Sequence, residues 1–385
     1  MLVRRRRLCY LKIEDRLFPD IERLAEGDLQ WQATTQAFLL CPLTGESLLV
    51  LPDELSLLAR LSDRGWTDSK GFPNVRNEIF ASLVARRLIV SDGPESQALR
   101  EEEARLDSIG WNGLAAVYHS QSSWSGRGAE PEMEKEAVKE SLRKHRETYG
   151  PPPPHFVRRE TALAETRLPP VELEGPLVKI LKARMTARAF LKDRELPLEE
   201  LGRVLAGAFG TFGYEEAGED LRFLKKTSPS AGGLHPVEAY PIVVKVTGLP
   251  TGIYHYRVED HTMELLEALD EEAARALITD TTAGQFYFGE AHACIIHVAR
   301  FDRAFWKYRE HEKMYKAILL DVAHLSQTFY LLATERGLGA YFTAVINDVD
   351  IGRRLGLDPL KEAAIGVNGL GILDASQTQR HFRVL

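Results

Sequence analysis

The chain has 385 residues, of which 44% are apolar and 27% charged, an ordinary globular composition for about two to three domains and not that of a disordered, collagen-like or disulfide-scaffold chain. Forty-nine basic residues against 56 acidic ones leave a net charge of −7, so no basic excess points to nucleic acid as a partner. Cys9, Cys41 and Cys294 stand far apart in the sequence with no Cys-x-x-Cys pair, which excludes a four-thiolate zinc site and fits a reducing cytoplasm.

Arg4 to Arg7 resemble the start of a signal peptide, but Lys12, Glu14 and Asp15 follow within a few residues. A signal needs roughly 7–15 apolar residues there. No stretch reads as the run of about 18 residues that crosses a bilayer. The expectation is a cytoplasmic protein without a membrane partner. Pro52-Asp53 opens a helix carrying Leu55, Leu57, Leu58 and Leu61, which ends at Arg64-Gly65. A second helix begins near Asn74, with Val75, Ile79, Leu83 and Val84, and runs toward Arg87. Leu88-Ile89-Val90 then reads as a strand before the turn Ser91-Asp92-Gly93. Two short helices and a strand outline a small winged-helix-like domain; a plain helical cap fits the same pattern, and the mixed charge does not favour DNA reading.

Residues 95–108 and 131–147 are charged and helix-prone, as solvated faces are. Between them Trp111 to His119 is apolar enough to dock on a core, and Pro151 to Pro154 breaks any helix and marks a connector. From about residue 175 helices and strands mix. Leu177–Leu181 with Met185 reads as a helix, and Pro197 starts another that carries Leu198, Leu201, Val204 and Leu205 into Gly207. Tyr240–Val246 and His292–Val298 read as buried strands, and Gly252–Tyr256 with Met263–Leu266 as a strand–turn–strand unit. Phe305 to Gly337 is the longest helical stretch, and Ala363–Val367 is a last strand. The pattern is α+β. It divides into a module over 1–105, a charged and Pro-rich connector over 106–174, and a larger domain over 175–385.

Two clusters carry chemistry. Arg184-Met185-Thr186-Ala187-Arg188 places two guanidiniums and a hydroxyl at a helix end, a donor set that matches phosphate, although a surface Arg pair with a capping Thr has the same sequence. Ser228-Pro229-Ser230-Ala231-Gly232-Gly233-Leu234-His235-Pro236 is a glycine loop that lets backbone approach a flat ligand. No Gly-x-Gly-x-x-Gly or Walker sequence occurs.

These motifs, followed by Gly252-Ile253-Tyr254-His255-Tyr256, closely resemble the nitroreductase-like flavoproteins. Within them they resemble the branch of azoline dehydrogenases, which act with cyclodehydratases on ribosomally made peptides. The likeness covers roughly residues 110–385. It implies a nitroreductase-like mixed sheet flanked by helices and an FMN enzyme that works as a homodimer with flavin at the interface. It places Arg184 and Thr186 on the FMN phosphate, and Arg188 near the flavin carbonyl where charge collects on reduction. Ser230, Gly232 and Gly233 fall on the loop at the pyrimidine edge. The turn Gly337-Leu338-Gly339 brings Val345 to Asn347 toward the ring, and Gly366 to Asn368 match a late strand near the phosphate, without the basic residue many relatives have there. The branch's Lys-Tyr pair matches Lys307-Tyr308, with two extra residues before the helix that contains Tyr315 to His324. The resemblance makes that pair the catalytic base, taking a ring proton as a hydride leaves.

The scattered histidines His119, His235, His255, His297 and His324 lack a metal-ligand spacing and read as packing or hydrogen-bonding residues, with no metal expected. Asp321 and His324 lie on one helical face and read as partners of each other or of a helix end. Three functional readings remain open: an azoline dehydrogenase whose N-terminal module holds a precursor peptide or a cyclodehydratase; an FMN reductase of a dehydroamino acid, nitro or quinone compound using a nicotinamide donor; and a flavin-free peptide scaffold.

Overall fold

The computed structural model describes residues 1–42, 45–128, 135–219 and 221–376, with only the backbone of 135–138. Six strands form the main sheet, in the order Thr262–Ala268, Gly252–Arg257, Val237–Val243, Ala293–Arg300, Glu362–Ile372 and Leu338–Thr343. Their ladders are antiparallel, and single parallel bridges, Thr186 to Ala340 and Leu196 to Val246, give the architecture its mixed sense. The α+β expectation holds. Ala293–Arg300 is buried over nearly its whole length because both faces of the sheet are covered. Helices Leu198–Phe209 and Met314–Glu335 cover one face, and Glu271–Thr281 with Asp348–Leu355 cover the other.

The helix Leu198–Phe209 buries Leu201, Val204, Leu205, Ala208 and Phe209, the stripe that 3.6-residue periodicity produces. Each large apolar side chain contributes about 1.5–3 kcal/mol. Gly207, expected to end this helix, lies inside it: Leu332 Cδ1 sits 2.6 Å from where a Cβ would be, so the glycine admits the neighbouring helix. Met314–Glu335 corrects the expectation that no segment has membrane-spanning length. Its 22 residues are long and apolar enough. It is nonetheless a core helix, with Ile318, Val322, Leu325, Phe329 and Ala333 buried on the sheet.

The expected helix over 305–337 is two helices, Phe301–Lys307 and Met314–Glu335. The break is held from outside. Arg309 donates to the carbonyls of Asp107 and Ser108, the Glu310 amide donates to Gly110, and Asn112 donates back to the Glu310 carbonyl. Glu310 adopts a φ of 53° in the process, a conformation uncommon outside glycine and its near substitutes.

In the N-terminal region, Leu2–Arg5 lies between Thr67–Asp68 and Ile89–Ser91 in a three-stranded sheet. Helices Pro52–Arg60 and Asn77–Ala85 pack on it through Leu57, Leu58, Phe80 and Leu83. A ten-residue-per-strand hairpin, Tyr10–Pro19 with Trp31–Leu40, is added to this frame and was not expected. The alternation of Leu11, Ile13 and Leu17 with charged residues is strand-like. Those side chains stay exposed, however, as do Ile21 and Trp31. Cys9 and Cys41 flank this ladder, and their Sγ atoms lie 3.3 Å apart, so two of the three scattered cysteines meet.

Helices Gln97–Ile109 and Gly113–Ser122 join the two regions. Trp111 sits among Phe301, Phe305, His119 and Tyr315, with ring centroids 4.6 to 6.0 Å away, and donates to the Leu360 carbonyl at 2.8 Å. Over residues 139–149 the helix Lys135–Tyr149 is solvated as expected, and Arg143 pairs with Glu140 and Glu147 along its surface. Residues 131–134 of the expected charged helix lie outside the described residues. The connector after Gly150 runs over the surface without regular structure up to Pro176.

Candidate active site

The glycine loop is held at nearly every residue. Lys226 Nζ donates to the Phe209 carbonyl and Thr227 Oγ1 to that of Gly207, both at 2.7 Å, which ties the loop to the end of the helix Leu198–Phe209. Ser228 bonds Thr328 at 2.7 Å. Ser230 Oγ donates to Asp321 Oδ2 at 2.5 Å and accepts from the His235 amide at 2.9 Å, while the Ala231 amide donates to Asp321 Oδ1 at 3.1 Å. Asp321 therefore serves the loop and not His324, as its sequence spacing had suggested. Burial pushes its carboxyl pKa up, against these bonds. The Ser230 hydroxyl, expected at a ligand edge, braces the loop by donating to Asp321 and accepting from His235.

Gly232 and Gly233 adopt φ of 64° and 68°, the left-handed conformation that glycine takes at little cost. A Cβ on Gly232 would stand 2.5 Å from the Tyr308 hydroxyl. Lys307 Nζ donates to the Gly232 carbonyl at 3.2 Å and lies 5.4 Å from the Phe223 ring. The structure thus seats Lys307-Tyr308 directly on the glycine loop. Between Lys307 and the long helix the chain breaks at residues 308–313.

Arg184, Thr186 and Arg188 lie past the end of the helix Pro176–Ala183, where Thr186 bridges Ala340 and the Ala187 amide donates to the Ala340 carbonyl at 2.8 Å. Thr186 Oγ1 lies 3.2 Å from the Tyr330 hydroxyl. The Arg184 guanidinium stands over the Tyr330 ring at 5.5 Å, and Arg188 over Tyr287 at 5.7 Å. Neither guanidinium has a carboxylate partner among the described residues. Tyr330 and Asp321 belong to one helix, so at 1.5 Å per residue the two clusters stand about 13 Å apart along its axis. No hydrogen bond joins them among the described residues.

Asn347 is not part of this constellation. Its amide donates to the carbonyls of Arg127 and Asp280 and accepts from the Arg127 amide, at 2.8 to 3.0 Å. With Asp348 and Asp350, which accept from Trp124, Ser125 and Gly126, it straps residues 124–127 to the helix Asp348–Leu355. Its polar atoms are occupied internally, which removes it from the expected ring contacts.

His119, His255 and His297 pack or hydrogen-bond. Burial holds His119 and His297 near a pKa of about 4, with His119 against Tyr315 and His297 against Asn368. Asn368 is therefore a core residue and not a phosphate contact. His255 behaves oppositely: Glu238 and then Glu264 raise its pKa above 6.5. A raised folded pKa means that its stabilisation is complete below about pH 6.5 and is lost as pH climbs through the folded value. Thermal melts of the wild type and His255→Gln at several pH values are expected to differ most near pH 6 and to converge at alkaline pH; a constant difference rules the linkage out.

Comparison with known proteins adds the family. The nitroreductase family model matches residues 181–372. A nitroreductase-named protein of Methanocaldococcus jannaschii is 31% identical over 187 residues, 49% of this chain and 87% of that protein. The trifolitoxin-processing protein TfxB of Rhizobium leguminosarum bv. trifolii is 31% identical over 150 residues, 37% of this chain and 38% of TfxB. Among solved structures, the E. coli microcin synthetase McbBCD complex with truncated pro-MccB17 has a chain 16% identical, covering 70% of this chain and 96% of that one, at a TM-score of 0.49.

Proposed function

This chain belongs to the nitroreductase family, and we propose that it is an FMN-dependent dehydrogenase that oxidises thiazoline or oxazoline rings in a ribosomally made peptide. The residues present fit FMN. Arg184, Thr186 and Arg188 offer donors with no carboxylate competing for the two guanidiniums, which suits a phosphate and a negatively polarised ring edge. The glycine loop offers backbone at close approach. Bound there, FMN supplies hydride acceptance. The exposed Leu177, Leu181, Met185 and Leu320 near the arginine turn and on the long helix support a homodimer in which a second copy brings its glycine loop to this turn.

The observation that carries the reading is Tyr308 seated against Gly232, with Lys307 holding that glycine's carbonyl. A hydroxyl fixed beside a ligand-facing loop can take the ring proton that azoline aromatisation releases, and Lys307 keeps loop and hydroxyl in register. The likeness to TfxB supports a peptide substrate. The N-terminal region offers two surfaces for a leader or a cyclodehydratase: a groove of about 1000 Å³ between helices Asn77–Ala85 and Gln97–Ile109, and the open edge of Tyr10–Pro19, which can accept an added strand. That groove is lined by none of the residues of the redox motifs, as a tethering site would be. Mass spectrometry of a cyclised peptide tests the reading: loss of two hydrogens per ring supports it, and an unchanged mass with its own leader present discards it.

A reductase of a dehydroamino acid, nitro or quinone compound is the second reading, favoured by the match to the nitroreductase-named relative. Rapid bleaching of bound flavin by NADH or NADPH without peptide selects it. In either case Arg184→Ala is expected to weaken FMN binding by about 10–100-fold, the value of one charge-assisted hydrogen bond. Flavin retained by the protein through gel filtration measures this, and unchanged occupancy removes Arg184 from the phosphate.

A further inference from the structure

We propose that Cys9 and Cys41 form a redox-active dithiol that closes to a disulfide across the root of the Tyr10–Leu40 hairpin. Tyr10 pairs with Leu40 at the end of the ladder, so Cys9 and Cys41 are the next residues facing each other, and their Sγ atoms already lie 3.3 Å apart. The pair is unequally exposed. Cys41 is fully buried, while Cys9 is open in part to solvent, so a small oxidant has a point of entry at Cys9.

Arg6 supplies a second, independent observation. Its side chain is fully buried, and one Nη donates to the Arg87 carbonyl at 3.2 Å, while Nε and the other Nη have no hydrogen-bond partner among the described residues. A buried cation with unmet donors is costly unless an anion is close. The charge of Arg6 acts on both sulfurs, and together with the hydrogen bond from Cys9 it holds the Cys41 thiol below its ordinary pKa, while Cys9 is pushed up by the same bond and by burial. The arrangement is a pair of hydrogen-bonded thiols near a buried guanidinium charge, which favours the anionic form of one sulfur. Cys294, by contrast, is a buried strand residue whose pKa burial pushes up to about 12.

With a low-molecular-weight disulfide as oxidant, the electrons balance in two exchanges. The Cys9 thiol gives its proton to solvent and the resulting thiolate attacks one sulfur of oxidised glutathione, breaking its S–S bond and releasing one glutathione thiolate, which takes up a proton. Cys41 then attacks the Cys9 sulfur of the mixed disulfide and releases the second glutathione, which carries off the Cys41 proton. Two protein thiols are oxidised by two electrons, and one glutathione disulfide is reduced to two thiols. The bond fuses the strands where the exposed arm leaves the N-terminal core.

The test uses the full chain equilibrated with oxidised glutathione, acid-quenched, alkylated in denaturant and weighed. The reduced protein is expected to take three alkyl groups and the oxidised protein one, on Cys294, with a linked Cys9–Cys41 peptide after digestion. In Cys9→Ser no linked peptide forms and Cys41 remains alkylated. A glutathione adduct that persists on Cys9 while Cys41 stays free overturns the proposal, as does the uptake of three alkyl groups after equilibration.

Discussion

Tyr308→Phe is expected to lower the rate of ring oxidation by about 10²–10⁴-fold, the usual contribution of a positioned proton acceptor, while flavin occupancy and melting temperature stay at wild-type values. The substitution removes only the hydroxyl. The ring remains packed beside Gly232, and the Lys307 bond to the Gly232 carbonyl is untouched. The appropriate measurement is single-turnover bleaching of the flavin by a cyclised peptide, followed across pH. In the variant, bleaching should slow across the pH range tested. A rate within a few-fold of wild type would take Tyr308 out of the chemistry. If the wild-type protein leaves the peptide unoxidised, the substrate assignment fails first, and this comparison does not arise.

The largest expected loss of stability comes from Trp111→Ala, at about 3–5 kcal/mol. Trp111 is 5% exposed, and its indole fills the space between Phe301, Phe305, His119 and Tyr315 while donating to Leu360. Truncation leaves a cavity among four rings and an unpaired carbonyl, and both penalties add. The site also joins the two halves of the chain. The variant is therefore expected to unfold in two steps in urea, followed by circular dichroism, where the wild type unfolds in fewer. A shift of less than about 1 kcal/mol would show that the neighbouring rings close over the gap.

Much of this was legible from residue order. The strands around His292–Val298 and Tyr240–Val246 announce themselves as apolar runs, and the Arg–Thr–Arg and Ser–Gly segments stand out by residue type. What the sequence hid was set by tertiary partners. The break after Lys307 has no local breaker; it exists because Asp107, Ser108 and Gly110 offer carbonyls to Arg309 and Glu310. Asn347 resembled a ligand residue because nothing in its neighbourhood reveals that Arg127 and Asp280 will satisfy its amide. Gly207 looked like a stop, since only the packing of Leu332 distinguishes a close approach from a helix end. The hairpin strand Tyr10–Pro19 carried its alternation openly, but burial is what usually gives such a pattern meaning, and here it is absent.

Arg309 and Glu310 grip the end of Gln97–Ile109 immediately after Tyr308. The phenol is therefore one covalent neighbour away from an anchor owned by the other half of the chain. A displacement of the end of Gln97–Ile109 would therefore reach the Tyr308 backbone through a single residue, Arg309, without crossing the sheet.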